Sequence, residues 1–172
     1  MKKIIILFVF TILTSLSFVK AQENKFEAIF LYNFTRQLGW PEAYRSGDII
    51  IKVFGETDIV DQINDFAKGN PVYGQNIVAK STSIDGISDC HIVYITEDKS
   101  NELENVIAKI GMQSILIVTE EANLVSKGAG ISFTREVDID GEQILRYQYN
   151  TINIKKADIK LSSDFKSLGI EF

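Results

Sequence analysis

Hydrophobic and polar residues follow two different periods along this chain, and the places where the period changes mark out its elements. Residues 25–38 put Phe26, Ile29, Phe30, Phe34 and Leu38 near a 3.6-residue repeat, which predicts an amphipathic helix closed by Trp40-Pro41. Residues 48–54 (DIIIKVF) form a nearly continuous β-branched run between Gly47 and Gly55, the pattern of a strand buried on both faces. Thr57 stands where it can cap a second helix running to Ala67, with Ile59, Ile63 and Phe66 inward. A turn-rich loop at 69–74 leads to a short strand at 76–81. Two more buried strands are read at 90–95 (CHIVYI) and 114–119 (SILIVT). The helix between them, 100–110, turns Leu103, Val106, Ile107 and Ile110 inward. At most two helical turns fit between Glu121 and Ser126 before Gly128-Ala129-Gly130 stops them. Residues 131–137 and 143–149 face each other across Asp140-Gly141, a pair favoured in hairpin turns. A short helix is expected at 154–158, followed by a terminal segment.

Buried strands alternating with helices imply a mostly parallel sheet covered on both faces. The expected architecture is α/β: a single three-layer domain with a C-terminal antiparallel hairpin extending the sheet at one edge. A length of 172 residues suits one such domain. Apolar residues at 45% and only 2 prolines agree with a chain that builds a core.

Charge and reactive residues then narrow the function. A net charge of -5 disfavours nucleic acid, since no surplus of Lys and Arg is available to neutralise phosphates. A single cysteine excludes an internal disulfide, and a single histidine excludes a His-rich metal site. Cys90 and His91 are adjacent in a predicted strand, so their side chains point to opposite faces and form no thiol–imidazole pair. Cys90 reads as a small core residue and His91 as a capping or edge residue. Gly128-Ala129-Gly130 leads into a strand and lacks the helix N-terminus that a phosphate cradle needs. The carboxylate pairs Glu120-Glu121 and Asp138/Asp140 suit a helix start and a turn. No catalytic residue, metal ligand or cofactor is expected.

The N-terminus sets the compartment. Met1-Lys2-Lys3, an apolar run from Ile4 to Phe10, a weaker stretch to Phe18 and the Val19-Lys20-Ala21 junction have the layout of a signal peptide. The competing reading is a membrane anchor, against which stand Thr11, Thr14 and Ser15. Cleavage after Ala21 removes 21 residues and leaves 151, with Lys2, Lys3 and Lys20 lost and the charge falling from -5 to -8. The domain is then 22–172, exported and not inserted in the membrane.

Two segments concentrate binding chemistry. The first helix carries Tyr32, Phe34, Arg36 and Trp40 close together, and aromatics beside Arg are what binding surfaces use. On the second hairpin strand, alternation puts Arg146, Gln148 and Asn150 on one face, Tyr147 and Tyr149 on the other. These six polar and aromatic residues, Tyr32, Arg36, Trp40, Arg146, Gln148 and Asn150, are the expected partner- or ligand-binding set. The opposing reading places Phe34 and Trp40 in the core.

The same segments carry a resemblance. LYNFTRQLGWP (31–41) resembles the opening signature of the YfiR-like family, an aromatic-Asn-Phe stretch followed by a basic residue and Trp-Pro. IIIKVFGE, CHIVYI, SILIVTE, GAGISF, RYQYN and ADIKLSSDF follow in the same order, so the likeness covers nearly the whole mature chain. It implies a small periplasmic α/β protein without catalysis. It further implies a homodimer that inhibits a membrane signalling protein, such as a diguanylate cyclase, by contact with its periplasmic sensor region. Cyclic-di-GMP would be the output. The alternative is a small-ligand sensor, with a pocket around Trp40 and Arg36, feeding a histidine kinase. Cys90 has no partner for the disulfides that the best-known relative uses, and Asp164, Lys166 and Gly169 interrupt a segment richer in leucine there.

Overall fold

The structure is a computed structural model and describes residues 24–172. The expected signal segment 1–21, its cleavage after Ala21 and the start at Gln22 lie outside these residues.

Helix α1 (24–37) buries Ala28, Leu31, Phe34 and Thr35, a stripe that repeats every three or four residues and faces the sheet. It stops one residue before the expected end because Leu38–Gly39 (β1) pairs antiparallel with Lys160–Leu161 (β8). β2 (Ile49–Phe54), β3 (Ile77–Thr82), β4 (Ile92–Ile95), β5 (Leu116–Thr119), β6 (Ile131–Val137), β7 (Gln143–Tyr149) and β9 (Ile170–Glu171) form one sheet in the order β3-β2-β4-β5-β6-β7-β9. β3 through β6 run parallel, and β7 returns antiparallel to β6. The hairpin was expected at the edge. In the structure β9 lies beyond it, parallel to β7, but covers only Gln148 and Tyr149.

Helices lie on both faces, as the buried strands require. α2 (Ile59–Ala67) joins α1 on one face through Ile59 and Ile63; α3 (Leu103–Ile110) covers the other with Leu103, Val106 and Ile110. Thr57 accepts the Ile59 N–H at 3.3 Å, as a helix start demands. The Asp58 carboxylate instead receives the side chains of Asn24 and Gln62, tying the beginning of α1 to α2. α4 (Thr151–Lys156) begins three residues earlier than expected, because the side-chain oxygen Oδ1 of Asn150 accepts the N–H groups of Ile152 (3.0 Å) and Asn153 (3.2 Å). Ser162 caps α5 (Ser163–Leu168) in the same manner.

The α1 face is held by aromatic rings. Phe34 is completely buried, with ring centroids at 5.0 Å from Tyr147, 5.7 Å from Phe165 and 6.3 Å from Phe133. Tyr147 also donates its hydroxyl to the Phe165 carbonyl at 2.6 Å. One helix, one hairpin and the C-terminal helix are thereby locked together. Among the described residues no helix is long and apolar enough to cross a membrane.

Candidate functional site

The end of α1, the β1/β8 pair and the 3-10 turn Glu42–Tyr44 enclose a pocket of about 530 Å³. Its walls include Trp40, Tyr44 and His91; Arg36, Arg45 and Lys160 stand around it, and Tyr73 closes one side. The fold explains each placement. Arg36 lies on the last turn of α1, and the antiparallel β1/β8 pairing sets Lys160 opposite Gly39. Pro41 ends the extended stretch and starts the turn that delivers Tyr44 and Arg45.

Trp40 is only 5% exposed and packs edge-on against the His91 ring, centroids 5.5 Å apart. It belongs to the core and also forms a wall of the pocket. Its indole N–H is buried and meets no acceptor among the described residues. Its carbonyl accepts the Arg45 Nε–H at 3.1 Å, which holds that guanidinium at the rim.

His91 was expected at a cap or an edge. It is buried in the pocket wall just ahead of β4, shortly after Asp89 adopts φ +51°, and its ring caps a backbone N–H of the neighbouring strand. The Ile50 N–H, which the β2/β4 register would give to the Cys90 carbonyl, goes to Nδ1 of His91 at 3.1 Å. Nδ1 therefore carries no proton, and Nε2–H donates to the Tyr44 carbonyl at 2.8 Å. Burial lowers the His91 pKa and favours this neutral form. Both nitrogens are thus engaged in holding the turn that builds the pocket. The neighbouring Cys90 is buried, and loss of hydration pushes its thiol up to about 12. A thiol in that state is a core residue.

Tyr73 closes the pocket from the loop between α2 and β3. It is 82% exposed, sits at φ +52° and donates its hydroxyl to the Arg36 carbonyl at 3.0 Å. On its far side a shallower, more polar groove is lined by Tyr32, Asn33, Arg36 and Asp164. Arg36 lines both cavities, whereas Tyr32 lines only the groove and Trp40, beyond the end of α1, only the pocket.

Arg146, Gln148 and Asn150 line neither cavity. Tyr147 and Tyr149 pack in the α1-side core, so alternation sends the other three to the α3 side of the sheet. Arg146 lies 3.4 Å from the Glu136 carboxylate, its diagonal neighbour on β6. Asn150 is engaged as the cap of α4 and donates to the Val125 carbonyl. Arg45, Tyr73 and Lys160 join the pocket without having been singled out from the sequence.

The crevice at the carboxyl ends of β2, β4 and β5, where α/β sheets of this kind bind ligands, is lined by Glu56, Glu97, Asp98 and Glu120. The Thr96 hydroxyl, 2.5 Å away, holds the Asp98 carboxyl below its usual range. Among the described residues no group of three His, Cys, Asp or Glu is arranged to hold a metal.

The model of the YfiR/HmsC-like family matches residues 24–169. No curated protein matches the chain.

Proposed function

We propose, because this chain belongs to the YfiR/HmsC-like family of periplasmic regulators of cyclic-di-GMP signalling, that it works by protein contact and holds a membrane signalling enzyme inactive. The observation that carries this reading is the family match, which spans both aromatic segments and the strands between them. The state of the reactive side chains supports it: Cys90 is a high-pKa core thiol and both His91 nitrogens are hydrogen-bonded, so neither is poised for turnover. The partner is a diguanylate cyclase with a periplasmic sensor region.

The surface offered to that partner is the end of α1, with Tyr32 and Arg36, and the hairpin carrying Arg146. Gln143–Tyr149 is the strand proposed to pair with a second copy in a homodimer, since β9 covers only its last two residues and an uncovered edge favours pairing. Export follows cleavage after Ala21, which an intact-mass measurement of periplasmic material tests directly. The functional test is deletion of the gene with measurement of cyclic-di-GMP and crosslinked capture of envelope partners. A rise in the nucleotide together with capture of a cyclase is the expected result. Capture of a sensor kinase with no change in the nucleotide would replace the output. Turnover of a small substrate with no partner captured would overturn the reading.

A further inference from the structure

We propose that the pocket between α1, β1/β8 and the Glu42–Tyr44 turn is a binding site for a small organic anion with an apolar body. Its volume of about 530 Å³ falls within the range of small-molecule sites. The charge around it is one-sided. Arg36, Arg45 and Lys160 contribute three cations, and no Asp or Glu is among the lining residues. Among the described residues none of the three joins an ion pair. In a protein with 23 acidic and 18 basic residues, a concave surface with three cations and no acid departs from the composition of the whole.

The floor and walls supply the second half of the recognition. Trp40, Tyr44, Leu38 and Ile49 present aromatic and aliphatic surface, against which a ring or short chain loses water. The neutral Nε2–H tautomer of His91 adds no acceptor that would repel an anion, because its Nδ1 already receives the Ile50 N–H. The buried Trp40 N–H lacks an acceptor, and a ligand oxygen reaching it after a small shift of the wall would supply one. Carboxylates and phosphate monoesters share the required chemistry. The site shares Arg36 with the surface proposed for the partner, but neither reading depends on the other, since anion binding needs no partner protein and partner binding needs no anion.

Trp40 is the chain's single tryptophan, so its emission reports on this pocket alone. The test titrates the purified protein with phenylacetate, phenyl phosphate and uncharged benzyl alcohol into the millimolar range. Binding is followed by Trp40 emission and by calorimetry. One or both anions should bind and shift the emission while benzyl alcohol does so at least about tenfold more weakly, as expected when charge-assisted contacts carry the difference. Preference between the two anions separates a carboxylate from a phosphate as the natural headgroup. Arg36→Gln and Lys160→Gln alter exposed side chains and should each weaken the anions about threefold to tenfold, with an unchanged melting temperature. The double variant should bring them to the level of benzyl alcohol, whereas Lys109→Gln on the opposite face should leave binding as it was. Equal binding of the alcohol and the anions, binding insensitive to Arg36 and Lys160, or no binding of either anion would overturn the proposal.

Discussion

Replacing Phe34 by alanine removes the ring that joins three parts of the chain that are far apart in sequence. Phe34 is fully buried, and its centroid lies within 5.0–6.3 Å of Tyr147, Phe165, Phe30 and Phe133. A buried Phe→Ala change costs about 3–5 kcal/mol from lost transfer and the cavity left behind. Four aromatic neighbours place this site near the upper end, about 4–5 kcal/mol, because edge-on ring pairs add to area burial. A domain of this size loses roughly 2–4 °C per kcal/mol, so the melting temperature should fall by about 10 °C or more. Urea unfolding, followed by Trp40 emission and by circular dichroism, should show the midpoint shift with the slope unchanged. Phe26→Ala is the internal control: the same helix and residue type, but 47% exposed, with an expected cost below about 1 kcal/mol. A double-mutant cycle of Phe34→Leu with Tyr147→Leu should return a coupling of about 0.5–1.5 kcal/mol. Equal losses at Phe26 and Phe34, or a loss below about 1 kcal/mol at Phe34, would refute the packing of α1 on the hairpin and α5.

Cys90→Ser should keep the fold and cost about 1–2 kcal/mol for burying a hydroxyl. The native thiol, pushed up to about 12, should react slowly with a thiol reagent at neutral pH, and rapid stoichiometric labelling would contradict its burial. His91 has a folded pKa below its ordinary 6.5, so the unfolded chain takes up the proton first and stability is lost as the pH falls below that value. Melting temperatures between about pH 7.5 and 5.5 should therefore decline more steeply in the wild type than in His91→Gln, and parallel curves would exclude His91 as the cause. Asn150→Ala should cost about 1 kcal/mol or more, since the cap of α4 goes and with it a bond to Val125. Thermal unfolding checks this, and an unchanged midpoint would show that Asn150 is free for a partner.

The sequence by itself determined every large element on the sheet and the paired strands of the hairpin. Apolar runs such as IIIKVF and SILIVT have no polar face to give to water, so they could only become strands covered on both sides. The 3.6 repeat of the first helix likewise allowed one buried face, and its spacing already put Arg36 and Trp40 near each other. What short-range pattern could not carry was any feature that depended on a distant partner. Whether Trp40 faced water or core was decided by the His91 ring, and His91 was drawn inward by an Ile50 N–H that lost its ladder acceptor where Asp89 turns the chain. Lys160 reached the pocket only because a two-residue strand paired with Leu38–Gly39, a contact too short to leave a pattern of its own. Arg146, Gln148 and Asn150 looked like one polar row, yet the sheet put them on the face away from α1 because Tyr147 and Tyr149 claimed the other side. Periodicity selects elements because it is a property of consecutive residues; a pocket is built from side chains that become neighbours only when the sheet is ordered, so its composition belongs to the tertiary structure.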